Sequence, residues 1–278
     1  TFKSNIKFIN GDLRKSVITT ITKLVEKPNE INQDSSSQTL DILSLTFNTD
    51  SETMIHSIDP LPNEIGKQTV GAISNLIESS GMESNQTEKI SKIISSIGKL
   101  SLLEKPAGSK VEYNSTKISL VQAREYSNEI IEKSIKNEDS DITLPNGVFD
   151  QLDPLIKDTL SVVDIRLLKW SYNPHSNIKT ETNITSSVIS ADLLDDFGME
   201  LKIENLQNPI QIKIPSKLAK EGQIDCRFFN KTELKWNKIG IGQVKEGEYT
   251  ICTTTHLSDF ATFIANDQID SGNSNQNW

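Results

Sequence analysis

A chain of 278 residues, 35% hydrophobic and 24% charged, holds enough apolar side chain for one large core or two packed together, which excludes wholesale disorder. Its formal net charge of −9 repels phosphate, which argues against nucleic acid as a partner and leaves no polybasic patch for anionic lipid. No apolar run is long enough to span a bilayer, the start lacks the layout of a secretion signal, and Thr1 is not a natural first residue, so the chain reads as a piece of something larger.

The first hundred or so residues carry helical periodicity. Leu13, Val17, Ile21, Leu24 and Val25 recur at spacings of three and four, as do Ile65, Val70, Ile73 and Leu76/Ile77, then Ile90, Ile93/Ile94, Ile97 and Leu100. The stretch from Leu40 to Ile58 reads as helical with a blurred pattern. Breakers separate the segments at Lys27-Pro28-Asn29, Asp59-Pro60-Leu61-Pro62, Ser80-Gly81 and Lys105-Pro106-Ala107-Gly108. Every apolar residue named here is expected in the core of a small bundle.

After Gly108 the period changes. Ile118 to Ala123 reads as a strand, and so does Ser161 to Trp170, whose unbroken apolar run implies burial on both faces. Met199, Leu201 and Ile203 alternate with polar neighbours, and Ile210, Ile212 and Ile214 do the same. Such runs predict strands of an antiparallel sandwich with one wet face per sheet. Helices first and strands afterwards give an α+β fold with segregated parts. The expected division is a helical subdomain at 1–105 and a β-sandwich at 106–268, with a polar linker at 269–278 leading out of the domain.

Conventional catalytic signatures are missing. His56, His175 and His256 are too scattered for a metal cage, no Cys or His pair has zinc-finger spacing, and neither a phosphate-cradling glycine loop nor a Gly-x-Ser-x-Gly elbow occurs. From count alone, Cys226 and Cys252 read equally as a bridge or as two unrelated thiols. Asn85, Asn114, Asn183 and Asn230 head N-glycosylation sequons, but a chain this rich in Asn, Ser and Thr supplies roughly four or five by chance. Their number decides nothing.

The last forty residues are distinctive. Cys226, Phe229, Trp236 and Gly240 are followed by Cys252-Thr-Thr-Thr-His256-Leu257-Ser258-Asp259-Phe260. This resembles the proteolysis-site (GPS) motif, here 226–264, that closes the GAIN domain of adhesion G-protein-coupled receptors and of polycystin-like and sperm-receptor-like proteins. The family pattern has two cysteine bridges. Here Ile241 and Thr254 replace both members of one, so the resemblance implies that Cys226 pairs with Cys252. Phe229 stands where tryptophan is commoner, and Ser258 replaces threonine. The resemblance also implies an extracellular position on a plasma or ciliary membrane, and self-cleavage between Leu257 and Ser258. The implied partners are the chain's own membrane-anchored C-terminal part and an extracellular protein ligand. The Ser-Asp-Phe-Ala run sits nearer the polycystin-like members than the adhesion receptors.

The chemistry stands without the family. The Ser258 hydroxyl is one residue from the Leu257 carbonyl, and attack there closes a five-membered ring, a geometry that gains about 7–11 kcal/mol from orientation. His256 is the nearby group that accepts a proton at neutral pH. An N-to-O acyl shift followed by hydrolysis then needs no metal and no small-molecule cofactor. Phe260 and Phe263 are expected to form the buried face of a central, doubly paired final strand, the segment that acts as a tethered agonist in adhesion receptors. The competing expectation is a non-cleaving spacer of the same fold in an extracellular or ciliary-surface assembly. A soluble enzyme acting on an external substrate is disfavoured.

Overall fold

The computed structural model describes residues 10–47, 59–80, 84–176, 183–216 and 224–265. Among them four α-helices come first: α1 (Gly11–Leu24), α2 (Gln33–Thr46), α3 (Asn63–Ser80) and α4 (Ser84–Leu102), with a 3-10 turn at Pro28–Glu30. Asn10 and Asn32 cap α1 and α2, each side-chain oxygen accepting from the amide three residues on, Leu13 and Ser35 respectively. The rest of the expected 40–58 helix, residues 48–58, lies outside the described residues.

The stripes of α3 and α4 are buried as their spacing requires, but α1 departs from expectation. Its buried line is Ile18, Ile21 and Val25 with Arg14 a turn earlier, whereas Leu13 and Leu24 are 49% and 70% exposed. Ile21 and Val25 stay in the buried line, so the helix is turned by less than one residue position. Arg14 takes the place expected for Leu13: it donates to the Asp59 carbonyl at 3.2 Å, and its guanidinium lies 6.0 Å from the Phe47 ring centre. Its aliphatic stem covers apolar surface while its head is hydrogen-bonded.

Strands follow: β1 (Lys110–Asn114), β2 (Ile118–Tyr126), β3 (Ser134–Asn137), β4 (Ser140–Thr143), then a short α5 (Pro154–Thr159), β5 (Val162–Trp170), β6 (Val188–Leu194), β7 (Ile210–Pro215), β8 (Ile224–Asn230), β9 (Lys235–Asn237), β10 (Gly242–Glu246), β11 (Tyr249–Thr254) and β12 (Asp259–Ile264). They form a seven-stranded sheet, β1-β2-β5-β6-β12-β8-β9, and a five-stranded sheet, β10-β11-β7-β4-β3, with antiparallel neighbours in both.

One wet face per sheet holds only for the smaller sheet, where Ile210, Ile212 and Ile214 are buried and Gln211 is exposed. The seven-stranded sheet is covered on both faces. Ile118, Leu120, Leu168, Trp170 and Phe263 pack with the helices, while Val121, Ala123, Ile165, Leu167 and Phe260 pack with the smaller sheet. The molecule is therefore three layers deep. Helix α4 lies close against β2: a Cβ on Gly98 would stand 1.9 Å from the Gln122 side-chain oxygen, so a larger residue there requires that buried side chain to move.

A second expectation is corrected at Met199–Ile203, which is not a strand. Leu201 and Ile203 are buried on either side of exposed Lys202, but Met199, expected on the same face, is 64% exposed, and the segment makes only a single bridge, Glu200 with Leu194. Its backbone bonds are isolated ones, such as Leu201 N to Leu193 O at 2.8 Å. Period-two burial requires extended backbone and not a ladder.

Polar groups join the helices to the sheet. Arg124 binds Asp164 through two bonds, Nε–Oδ1 at 2.7 Å and Nη2–Oδ2 at 3.0 Å, and its Nη1 donates to the Leu102 carbonyl at 2.9 Å. One side chain thus satisfies a carbonyl at the end of α4 and anchors that helix to β2 and β5. Further along, Arg166 binds Asp192 at 2.8 Å and donates to Ser95 on α4.

Candidate functional site

The turn from Thr255 to Ser258 carries the chain from β11 in the smaller sheet to β12 in the larger one. A crossover between layers leaves its backbone without ladder partners, and neighbours supply them. Leu206 N donates to Thr255 O at 3.1 Å, Leu257 N to Ile203 O at 3.2 Å, and Ala191 N to Ser258 O at 3.1 Å. The buried, non-ladder segment around Ile203 therefore braces the Leu257–Ser258 junction. Leu257 itself packs on the core between the sheets.

A disulfide ties the two sheets beside this crossover. Cys226 on β8 and Cys252 on β11 are bonded, with Cα atoms 5.8 Å apart. Strand β12 is central: Asp259 and Phe260 pair with Ser190 and Ile189 on β6, and Phe260 to Ile264 pair with Phe228 to Ile224 on β8. Phe260 and Phe263 are both buried but do not share a face. Three residues apart in a period-two strand, they point oppositely. Phe260 enters the sandwich core, while Phe263 packs towards the helices, 5.1 Å from Trp236 and beneath the Arg227 guanidinium at 4.6 Å.

The His256 ring meets Phe228 edge-on at 4.4 Å and its Nδ1 is hydrogen-bonded to Thr254 Oγ1 at 3.1 Å, while Nε2 is buried without a partner. Burial pushes the imidazole pKa down, against a smaller opposing pull from Glu204, so the neutral, proton-accepting form is favoured. The Ser258 hydroxyl instead donates to the Phe229 carbonyl at 2.9 Å. His256 and Ser258, the base and nucleophile expected from the sequence, share this turn and are not hydrogen-bonded to each other. A cleft of about 480 Å³, lined in part by Glu204, Phe228, Asn230, His256 and Ser258, opens over the junction.

Other side chains here carried no signal in the sequence. His175, in the turn after β5, places Nε2 2.7 Å from Asp259 Oδ2 and stacks on Phe229, with ring centres 3.5 Å apart and planes 4° from parallel. Burial alone would raise the Asp259 carboxyl; the His175 bond and charge, with Ser190 and Lys231, outweigh it and hold the pKa below the usual value. Of the sequons, Asn114 and Asn183 are exposed, while the Asn230 side-chain oxygen caps a turn by accepting from the Thr232 and Glu233 amides. Asn85 lies in α4, with its side chain outside the described residues. Among the described residues no group of His, Cys, Asp and Glu is arranged to hold a metal ion, and no helix is long and apolar enough to cross a membrane.

A helical layer, a two-sheet sandwich and a closing strand reached by a crossover between the sheets beside a disulfide define a GAIN-type domain ending in a proteolysis-site motif. The family model for GPS, GAIN subdomain B, matches residues 108–267, and the chain belongs to that family. Among solved structures it is similar to the full extracellular region of zebrafish Gpr126/Adgrg6, with a TM-score of 0.62 at 14% identity over 90% of this chain. At that identity the likeness shows the fold. The chain spans 34% of that solved chain. No curated protein matches it.

Proposed function

We propose that this is the extracellular, membrane-proximal GAIN domain of a membrane protein, which cuts its own backbone between Leu257 and Ser258 and retains the segment beyond as a captive strand. The observation that carries the reading is the placement of this bond immediately before a central strand paired on both sides. After a cut, the ladders to β6 and β8 and the two buried phenylalanines continue to hold Ser258 onwards. The disulfide fits an oxidising, extracellular setting. The retained partner is the chain's own membrane-anchored C-terminal part, released by force or by an extracellular protein ligand. The polycystin-like or sperm-receptor-like setting, on a plasma or ciliary membrane with glycans on the sequons, belongs to the same reading.

In the cleavage step Ser258 Oγ leaves the Phe229 carbonyl by a rotamer change and attacks the Leu257 carbonyl carbon as neutral His256 takes its proton. The Leu257–Ser258 amide becomes an ester, the freed amine takes up a proton, and water hydrolyses the ester. A denaturing gel of the secreted chain tests this. Expected are a large fragment ending at Leu257 and a short C-terminal one, with Ser258→Ala giving a single species near 31.0 kDa. The Ser258–Phe229 bond, which holds the nucleophile away from its base, favours a second reading, the non-cleaving spacer. Wild type that stays whole through secretion and prolonged incubation selects the spacer.

A further inference from the structure

We propose that His175 is the positioning residue of the Leu257–Ser258 junction, a clamp that joins the two strands between which Ser258 stands. Its imidazole holds β12 through Asp259, the residue directly after Ser258, at 2.7 Å. The same ring lies flat on Phe229 of β8, at 3.5 Å. Phe229 in turn supplies the carbonyl that accepts the Ser258 hydroxyl at 2.9 Å. Both anchors of the nucleophilic residue, one along the chain and one across the ladder, thus converge on one side chain 84 positions upstream of Asp259.

The clamp is built and not incidental. His175 and Asp259 side chains are only 16% and 14% exposed, so their bond is shielded from water and from salt. Trp236 closes over the stack edge-on, 5.7 Å from His175 and 5.6 Å from Phe229. The backbone of the clamp is set by Asn173, whose side-chain oxygen accepts from the His175 amide at 3.0 Å. Across from Asp259 stands its register partner, Ser190 of β6. The His175 ring touches neither the reacting carbonyl nor the hydroxyl, so its effect is on geometry.

The role in cutting rests on the self-cleavage reading; the role in holding β12 does not. The test compares His175→Phe, which keeps a ring for Phe229 and removes the nitrogen facing Asp259, with His175→Gln, which keeps an amide donor there. Hydrogen exchange is read by mass spectrometry over 259–264, with 162–170 as internal control, and self-cleavage is timed in the same chains. Loss of a shielded charge-assisted bond is expected to speed exchange of 259–264 about tenfold in His175→Phe, leaving 162–170 unchanged. Displacement of the junction is expected to slow cutting by about 10²-fold in the same variant, and His175→Gln should recover most of both. Wild-type exchange over 259–264 in His175→Phe overturns the clamp. Loosened exchange with wild-type cutting overturns the positioning role. If wild type does not cut at all, the parent reading fails while exchange still judges the clamp. Should His175→Phe misfold, Asp259→Asn removes the charge from the other side and must loosen 259–264 alike.

Discussion

The two faces of the seven-stranded sheet are built differently. Towards the smaller sheet the centre is apolar, with Val121, Ile165, Leu167, Ile189 and Phe260 around one disulfide, and its charged groups, such as Lys169 and Glu125, stand near the strand ends. Towards the helices the sheet carries Arg124–Asp164, Arg166–Asp192 and His175–Asp259 among its apolar residues. The first face is a sealed core whose strength depends little on pH. The second is held partly by ionised groups, so it answers to acid, and β12 is gripped by both.

The most disruptive way to break this comparison is to empty one face at a time. Phe260→Ala is expected to cost about 3–5 kcal/mol, and the cost should be similar at pH 7 and pH 4.5 in denaturant titrations. Arg124→Met leaves Asp164 buried without its cation and should also cost about 3–5 kcal/mol near neutrality. Burial already pushes the Asp164 carboxyl pKa up, against the pull of Arg124, so in the variant it protonates more readily and the penalty shrinks as pH falls. Equal pH responses in the two variants would erase the distinction.

Removing the disulfide with Cys226→Ala and Cys252→Ala together should cost about 3.5 kcal/mol by the chain-entropy account, without altering the pH response. Asp259 sharpens the polar side. Because its folded pKa lies below the unfolded one, its contribution is complete above about pH 3.9 and is lost as pH falls through the lower folded value. Asp259→Asn should therefore flatten the acid limb of stability against pH. The smallest effect belongs to α1, where Leu24→Ser, at a 70% exposed position, should stay within about 0.5 kcal/mol.

The period change after Gly108 made the order of helices and strands legible, because 3.6-residue and two-residue patterns are properties of neighbouring residues. The Cys, Trp and His-Leu-Ser frame was legible as a family motif, but that its last turn crosses from one sheet to the other was not. What escaped depends on partners distant in sequence. The rotation of α1 follows from Arg14 reaching Asp59 and Phe47. Alternation at Met199, Leu201 and Ile203 signals the burial of the last two but not the exposure of Met199, nor that the backbone there braces a turn instead of joining a ladder. His175 stands in a turn with no periodicity around it, and only the folded chain brings it onto Phe229 and Asp259. The placement of Phe260 and Phe263 on opposite faces was readable in principle from their odd spacing.

The position of the disulfide has a consequence for chain ends. The proposed cut after Leu257 would create a new carboxyl terminus five residues beyond Cys252. Loose termini are where proteins fray and where exopeptidases begin. Here the crosslink to Cys226 acts like a stitch just inside a hem: trimming can remove the last few residues, but unravelling of β11 stops at the sulfur bridge.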